Sequence, residues 1–343
     1  MPLLITGASG HLGANLVRRL LDDGHAVRAL LRRGSNNRAL DGLDVELVYG
    51  DLRDPASVEA AVRGCDRIHH CAALLSTTAG NEREIFDCNV IGTRNLLQAA
   101  REAGVSRVVV SGSLSAVGNH PSQPSDETVP FYPFEKLPPY SHTKAAVEHE
   151  CLKAAVEGLD VVIATSCAII GPNDFKPSRM GKTLIDFAKG KLRAYIPGGF
   201  TFVAASDMVE GHILAMDKGR SGQKYIFSTE FLTVDELMTI FEEVTGRRRP
   251  RLRLPAPLMA GIAEVTTFVL TNLFPGTPQR FTPAAVRFLR MQRKADCSKA
   301  VRELGYRPTT ITRAVREAYE CFVRRGAIAL PGKRVLVSRP GES

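Results

Sequence analysis

The chain has 343 residues and a formal net charge of +9 at pH 7, and its length allows a substantial core, as one large α/β domain or as one domain with an added lobe. A basic chain can bind nucleic acid, but the arginines are spread over the whole sequence. The one dense basic run, residues 247–253, has no aromatic residues for base stacking, so we predict a solvated loop and no nucleic-acid partner.

The first predicted strand, residues 3–5, leads through a glycine-rich loop into a helix with leucines at helical spacing. In this context Gly7 permits a tight turn, Gly10 lets backbone N–H groups approach a pyrophosphate, and Gly13 lets the helix pack close to the strand. We therefore predict that a dinucleotide cofactor binds here. The predicted contacts are Thr6, Gly7, Ser9, Gly10, His11, Leu12 and Gly13.

A second predicted strand, residues 26–31, ends at Arg32 and Arg33. NAD-specific sites place an acidic residue at this point to bind the ribose 2′-hydroxyl, whereas an arginine accommodates a 2′-phosphate through charge-assisted hydrogen bonds. The sequence thus predicts NADP(H) as the cofactor, with both arginines as contacts.

The alternation continues with strands at residues 45–49 and 67–72 and helices at 55–63 and 82–103. This order predicts a parallel sheet covered by helices on both faces, with the ligand at the carboxyl ends of the strands. Ala72 and Ala73 end the fourth strand and leave space for a flat cofactor. Asn89, in the following helix, fits either a water relay beside the site or a structural role in bending the helix.

The fifth predicted strand, residues 107–110, stops at Ser111-Gly112-Ser113, which brings two hydroxyls to the edge where the ligand is expected. After a proline-rich segment a helix begins at Tyr140, and Lys144 follows four residues later on the same helix face. An ammonium beside a phenol stabilises the phenolate, so the hydroxyl can exchange a proton near neutral pH. This pair therefore predicts general acid–base catalysis.

After a sixth predicted strand, residues 161–166, the pattern loosens into a segment suited to a substrate lobe. We predict a nucleotide-binding domain at residues 1–166, a mainly substrate-binding lobe at 167–326, interleaved with the first domain, and a tail at 327–343. The further predicted elements are a strand at residues 224–227, helices at 207–218, 234–245, 297–304 and 312–324, and two apolar stretches closing over the ligand at 258–274 and 281–291.

The remaining patterns concern the compartment. The apolar stretch 258–274 is too short and too polar to span a bilayer comfortably, so we predict no membrane insertion. The seven cysteines form no Cys-x-x-Cys pair and have no histidine at zinc spacing, which predicts reduced thiols and no metal site. The first strand begins at Pro2, without room for a targeting peptide, so a cytoplasmic location is expected.

Several motifs together resemble the extended short-chain dehydrogenase/reductase family, within the NAD-dependent epimerase/dehydratase superfamily, over residues 1–325. They are Thr6-Gly7-x-x-Gly10-x-x-Gly13, Gly50-Asp51-Leu52, Asn89-Val90-Ile91-Gly92-Thr93, Tyr140-x-x-x-Lys144 and Asp296-x-Ser298-Lys299-Ala300 with Leu304-Gly305-Tyr306-x-Pro308. The chain is most similar to the dihydroflavonol-reductase-like branch and its neighbours, hopanoid-associated epimerases and 3β-hydroxysteroid dehydrogenases. The resemblance implies a Rossmann doubly wound parallel sheet with a smaller C-terminal substrate-binding lobe.

The resemblance also implies roles for individual residues. Tyr140 would be the general acid/base, Lys144 would bind the nicotinamide ribose and tune Tyr140, and Ser113 would hold the substrate oxygen. The other implied or predicted cofactor contacts are Asp51 and Leu52 at adenine, Ala72 and Ala73 along the channel, and Asn89 and Ser111. Two positions depart from the family pattern: Gly112, where many members have Ser, and Ser166, where many have Pro ahead of the Gly171-Pro172 pair.

The favoured function is therefore an NADPH-dependent carbonyl reductase or alcohol dehydrogenase for a small, largely apolar metabolite. One alternative is a nucleotide-sugar epimerase that retains NAD, for which Lys176, Arg179, Lys182 and Arg193 would be candidate diphosphate ligands. Another is a non-catalytic NADP-binding sensor, although such members commonly lose the Tyr or the Lys. Members of this family are often dimers through paired helices, which makes a homodimer an expectation here.

Overall fold

The computed structural model describes residues 1–75, 81–120, 122–135, 137–255 and 289–329. Its strands are β1 (Leu3–Thr6), β2 (Val27–Leu31), β3 (Glu46–Tyr49), β4 (Arg67–His70), β5 (Arg107–Ser113), β6 (Val161–Ser166), β7 (Ala168–Ile170), β8 (Ala194–Tyr195), β9 (Gly199–Ala204), β10 (Lys224–Phe227), β11 (Glu230–Thr233) and β12 (Leu252–Arg253). Its helices are α1 (His11–Asp22), α2 (Pro55–Val62), α3 (Glu82–Phe86), α4 (Gly92–Glu102), α5 (Pro139–Val156), α6 (Arg179–Ala188), α7 (Ala205–Lys218), α8 (Val234–Thr245), α9 (Ser298–Leu304) and α10 (Ile311–Arg324).

Seven parallel strands form the central sheet in the order β10-β6-β5-β4-β1-β2-β3. One face packs against α1 and α7 and the other against α2, α4 and α5, so the middle strands are buried on both sides. From β1 the chain proceeds to β2 on one side, whereas β4 lies on the other. Such a switch point opens a crevice at the carboxyl ends of the strands. The predicted doubly wound Rossmann sheet is therefore confirmed.

Most predicted element boundaries agree with the structure to within two residues, as for β4, which ends at His70 instead of residue 72, and two differences are larger. Strand β5 does not stop at residue 110 but continues to Ser113, because β6 goes on pairing with it up to Ser166. The single helix predicted over residues 82–103 contains a π-helical turn at Asp87–Ile91 between α3 and α4. Both differences lie beside the crevice, where they set the direction of site residues.

The second half of the chain contributes to the central sheet and also builds its own core. Strand β10 pairs with β6 at the sheet edge, while β11, β9 and β7 form a three-stranded sheet and β12 pairs with β8. Helices α6, α8 and α10 enclose Phe187, Phe241 and Phe322, each at most 2% exposed. The division of the chain at residue 166 stays a prediction.

Some predicted segments lie outside the described residues, namely 258–274, most of 281–291 and most of the tail at 327–343. Among the helices that the structure describes, none combines the length and apolar character needed to cross a bilayer. In the same part of the chain, no group of three or more His, Cys, Asp or Glu side chains is arranged to hold a metal ion.

Candidate active site

The glycine loop between β1 and α1 brings three backbone segments into close contact. Gly7 has φ +69°, and a Cβ there would lie 2.6 Å from the Ala72 nitrogen in the segment that follows β4. A Cβ on Gly13 would lie 2.3 Å from the Gly7 carbonyl oxygen. Gly10 precedes α1 and donates its N–H to the Gly7 carbonyl oxygen at 2.9 Å. The loop and the first turn of α1 therefore form a cradle that side chains would fill, which fits a dinucleotide phosphate.

A groove with a cavity volume of ≈ 260 Å³ runs along this loop and the ends of β2 and β4. Leu30 and Leu31 supply part of its apolar wall, and Lys176 reaches it from the second half of the chain. Nine of the residues predicted to bind the cofactor line it: Thr6, Gly7, Ser9, Gly10, Arg32, Asp51, Leu52, Ala72 and Ala73. Tertiary structure thus brings together residues that are up to 67 positions apart in this predicted set, from Thr6 to Ala73.

The side chains of two residues predicted to contact the cofactor form hydrogen bonds with other parts of the protein. The Nε2 atom of His11 lies 3.0 Å from the Pro172 carbonyl oxygen, and burial lowers the pKa of this imidazole. Asn89, in the π-helical turn, accepts a hydrogen bond from the Leu74 N–H at 2.7 Å and donates to the Thr143 hydroxyl at 3.2 Å. Asn89 thereby holds Leu74, which lines the groove, whereas His11 contacts the segment after β7. A direct contact of either side chain with cofactor stays a prediction.

The two arginines after β2 occupy different positions. Arg32 lines both the groove and an adjoining recess of ≈ 500 Å³, whereas Arg33 borders the recess without lining the groove, and its guanidinium lies 5.6 Å from the ring centroid of Tyr49. The Asp51 carboxylate, also in the groove, is 2.6 Å from the Arg53 guanidinium, and this contact lowers the pKa of Asp51. The acidic residue nearest to Arg32 in the groove is therefore already neutralised by another arginine.

Tyr140 and Lys144 lie in the first turns of α5, which begins with Pro139. The Lys144 side chain is 5% exposed, and its Nζ donates to the Ser111 carbonyl oxygen in β5 at 2.9 Å. The same ammonium lies 6.0 Å from the ring centroid of Tyr140. A strand backbone thus holds the cation beside the phenol, which is the arrangement that the four-residue spacing predicts.

Ser113 is the last residue of β5, and its hydroxyl oxygen lies 2.9 Å from that of Ser115. The neighbouring Gly112 is required by packing, because a Cβ there would lie 2.6 Å from Thr165 Oγ1 and 2.9 Å from Ile163 Cγ2 in β6. This explains the departure at residue 112: the bulky side chains of β6 leave no room for Ser. The departure at Ser166 keeps a polar contact, since its hydroxyl donates to the Gly112 carbonyl oxygen at 3.2 Å.

A buried histidine network lies near Lys144 and the end of β5. Ser111 Oγ is 3.0 Å from His212 Nε2 on α7, and His212 Nδ1 is 3.4 Å from His69 Nδ1. His70 lies between Thr6 and Thr93, with nitrogen–oxygen distances of 2.6 and 2.9 Å. His212 is fully buried on α7, and it ends the run Asp207-Met208-Val209-Glu210-Gly211-His212, which is a further point of similarity to the dihydroflavonol-reductase-like branch. The network supports the strand ends from which Thr6 and Ser111 project.

Burial keeps these imidazoles neutral. It lowers the pKa of His70 and of His212 to about 3, with a smaller contribution from the Lys144 ammonium at each. Burial also raises the pKa of the Cys71 thiol, in the groove wall, to about 11. Cys71 therefore stays protonated near neutral pH, and neither it nor the histidines add charge beneath the site.

The neutral histidines predict a loss of stability in acid. Because the unfolded chain binds protons at pKa 6.5 and the folded chain at about 3, their contribution is complete above pH 6.5 and is lost as pH falls toward 3. Between about pH 7.5 and pH 5.5, the free energy of unfolding should fall by roughly 3 kcal/mol from His70 and His212 together. His69, whose pKa burial also lowers well below 6.5, adds a similar share, and urea titrations at the two pH values measure the sum. A His212→Asn variant should lose about 1.4 kcal/mol less than the native chain over the same range, which is the share of one histidine. Equal stability of the native chain at both pH values would contradict the buried neutral pair.

Comparison with known proteins agrees with this geometry. The sequence profile described as "NAD dependent epimerase/dehydratase family" matches residues 3–227. The chain is 47% identical to sterol demethylase protein B of Methylococcus capsulatus, over 96% of this chain and 100% of that protein. It is 33% identical to a putative dihydroflavonol 4-reductase of Synechocystis, over 94% of this chain and 95% of the relative.

A third relative is the 3 beta-hydroxysteroid dehydrogenase/Delta 5-->4-isomerase of Mycobacterium tuberculosis, 32% identical over 94% of this chain and 90% of that protein. Among solved structures, the crystal structure of gox2253 superposes with a TM-score of 0.84 at 31% identity, covering 95% of this chain and 99% of the other. The similarity therefore extends over both halves of the chain.

Proposed function

The chain belongs to the NAD dependent epimerase/dehydratase family of extended short-chain dehydrogenases/reductases, and we propose that it is an NADP(H)-dependent oxidoreductase that interconverts a secondary alcohol and a ketone on an apolar, sterol-like substrate. The observation that carries this proposal is the placement of Tyr140 and Lys144 on α5 against the end of β5, which carries Ser113. A proton-transferring phenol, a fixed cation and a hydroxyl are the groups that hydride transfer to a carbonyl requires.

Each of these groups has a defined task. When bound, the nicotinamide dinucleotide supplies or accepts the hydride. In the reducing direction the Tyr140 hydroxyl donates a proton to the substrate oxygen, and in the oxidising direction the phenolate takes it back. Lys144, held 2.9 Å from the Ser111 carbonyl oxygen, stabilises that phenolate by its charge. Ser113 donates a hydrogen bond to the same substrate oxygen, so it favours the developing negative charge there.

The preference for NADP(H) is supported by the charges at the end of β2. No acidic residue follows that strand directly, and Arg32 lies in the groove at the position where a ribose 2′-substituent is read. The nearby Asp51 carboxylate, which could bind a ribose hydroxyl, is paired with Arg53. An arginine in that position favours a phosphate over a hydroxyl.

The substrate class is supported by a second cavity and by the relatives. A cavity of ≈ 200 Å³ lies beyond Ser115, and its wall combines the polar side chains of Asn119, Glu135 and Arg293 with Phe131, Tyr132, Leu137 and Met291. The aromatic and aliphatic side chains of this mixed wall can pack against part of an apolar ring system. Two of the relatives are named for sterol or steroid conversion, and the latter is a 3 beta-hydroxysteroid dehydrogenase. We therefore place the reacting carbon on a ring of a sterol-like molecule.

The nucleotide-sugar alternative is less well supported. It needs a cluster of cations to hold a substrate diphosphate, and Lys176 was one of the candidates. Lys176 Nζ instead donates to the Ser9 hydroxyl at 3.1 Å, in the loop that borders the dinucleotide groove. The sensor alternative requires no acid–base pair, whereas both Tyr140 and Lys144 are present and in contact range.

The proposal predicts a specific reaction of the purified protein. A 3-oxosterol should cause oxidation of NADPH, which is measured as a decrease in the nicotinamide absorbance. The kcat/KM should be at least about tenfold higher for NADPH than for NADH, because one added charged contact gives a difference of this size. UDP-sugars serve as the comparison substrates in the same assay. Interconversion of UDP-sugars without net NADPH oxidation would overturn the proposal in favour of an epimerase.

A further inference from the structure

Lys176 belongs to the segment between β7 and α6, yet it lies at the glycine loop of the first half of the chain. Its Nζ donates to Ser9 Oγ at 3.1 Å, and it lines the same groove as Arg32. We propose that Lys176 and Arg32 together bind the 2′-phosphate of NADP(H), so that a residue from the second half of the chain selects the cofactor. This inference rests on the proposed function and names the residue that completes its cofactor site.

The first support is the charge at this end of the groove. Partial burial lowers the pKa of the Lys176 ammonium, and the charge of Arg32, which lines the same groove, lowers it further. Within the described ranges, neither cation forms an ion pair, and the one carboxylate in the groove, Asp51, is 2.6 Å from Arg53. Two neighbouring unpaired cations attract an anion with two charges, and a phosphate monoester is such an anion near neutral pH.

The second support is that the segment before Lys176 is fixed in place. The Pro172 carbonyl oxygen accepts from Asn15 Nδ2 at 2.9 Å and lies 3.0 Å from His11 Nε2. Asn173, which has φ +59°, donates from Nδ2 to Asn15 Oδ1 at 3.0 Å. Helix α1, whose first turn forms the phosphate cradle, therefore also determines where the Lys176 backbone runs.

The residue next to Lys176 is held from two sides. The guanidinium carbons of Arg325 and Arg18 lie 3.8 and 5.4 Å from the ring centroid of Phe175. Arg325 also donates to the carbonyl oxygens of Asp174 and Phe175, at 3.0 and 3.3 Å. With its neighbours fixed on α1 and α10, Lys176 loses little conformational freedom when it binds an anion, which raises affinity.

The position along the groove favours the 2′-phosphate over the pyrophosphate. The pyrophosphate of a dinucleotide lies at the N-terminus of α1, where backbone N–H groups and the helix dipole already provide positive charge. Arg32 and Ser35 mark the other end of the groove, after β2, where the adenosine ribose is read. Because Lys176 contacts Ser9 and lines the same groove as Arg32 and Ser35, we place its ammonium on the ribose side of the loop.

The test compares two small ligands that differ in the 2′-phosphate. In the full-length protein, calorimetry measures the Kd of adenosine 2′,5′-bisphosphate and of 5′-AMP for the native chain, Lys176→Gln and Lys182→Gln. We expect Lys176→Gln to raise the Kd of adenosine 2′,5′-bisphosphate about tenfold and the Kd of 5′-AMP by less than about twofold. Lys182, on α6 and outside the groove lining, is the matched control and should change neither Kd. Lys176→Arg should retain most of the affinity, because the charge is kept.

The other outcomes overturn the inference. If Lys176→Gln raised the Kd of both ligands equally, Lys176 would lie at the 5′-phosphate. If it changed neither Kd, Lys176 would not belong to the cofactor site. A native chain that binds the two ligands equally would instead contradict the NADP(H) preference in the proposed function. Because binding is measured without substrate, a failure to reduce sterols leaves this result unaffected.

Discussion

Replacing Tyr140 with Phe is expected to lower kcat by roughly 100- to 10,000-fold, the range that a positioned proton donor contributes. The ring remains, so its packing beside the Lys144 ammonium, 6.0 Å from the ring centroid, is kept while the hydroxyl is lost. The Kd for NADPH, measured by the change in its fluorescence, should stay within about twofold, since proton transfer and cofactor binding are separate functions.

Tyr319→Phe is the matched control for this variant. Tyr319 lies on α10 and packs at the edge of the second-half core, away from the groove. The same loss of one phenolic hydroxyl there should leave kcat unchanged. If Tyr140→Phe kept a substantial fraction of the native kcat, the proton would have to come from another group, and the assignment of Tyr140 as general acid/base would be wrong.

Gly13→Ala is expected to destabilise the protein by about 2–3 kcal/mol, the cost of overpacking a close contact. At an ordinary helix position the same change would stabilise the protein, because alanine is favoured over glycine inside a helix by about 1 kcal/mol. Here the added Cβ would lie 2.3 Å from the Gly7 carbonyl oxygen and 2.8 Å from the Ala8 Cα. Neither backbone atom can move without shifting the turn after β1. Urea titration of the ligand-free protein measures the change.

Gly10→Ala in the same loop separates packing from binding. The nearest atom to its new Cβ is the Gly7 carbonyl oxygen at 3.1 Å, so the fold should lose no more than about 1 kcal/mol. The methyl group would nevertheless project where a pyrophosphate approaches the loop, and the affinity for NADPH should fall at least about tenfold. Native affinity in Gly10→Ala would contradict the phosphate cradle, and native stability in Gly13→Ala would contradict the close packing of α1 on the turn.

The sequence predicts the parts of the site that depend on local chemistry. Gly7 is recognisable because a turn with φ +69° favours glycine, and the Tyr140–Lys144 pair because residues four apart share a helix face. The strand–helix alternation predicts the doubly wound sheet for the same reason, since hydrophobic periodicity follows from which face of each element is buried. Each of these patterns involves residues that are close to one another in the sequence.

Other features depend on partners that are distant in the chain. Strand β5 extends to Ser113 only because β6 pairs with it over six residues, and the glycine at 112 is explained only by Thr165 and Ile163 beside it. The Ser111–His212 contact joins residues 101 positions apart, and the Lys176–Ser9 contact joins residues 167 positions apart. From the sequence, Lys176 is only one of several cations that could bind a sugar diphosphate, because its position in the chain does not show that Ser9 is its neighbour in space.

The amino-acid sequence by itself thus determined the glycine loop, the parallel α/β order, the arginine after β2 and the Tyr140–Lys144 pair, because steric limits, helix geometry and side-chain chemistry act locally. Only the tertiary structure decided that Lys176 contacts Ser9 in the glycine loop and that neutral histidines support the end of β5. It also decided that Arg33 turns toward Tyr49 while Arg32 enters the groove. The physical reason is that these placements depend on how separate elements pack, and packing brings together side chains whose separation along the chain gives no sign of contact.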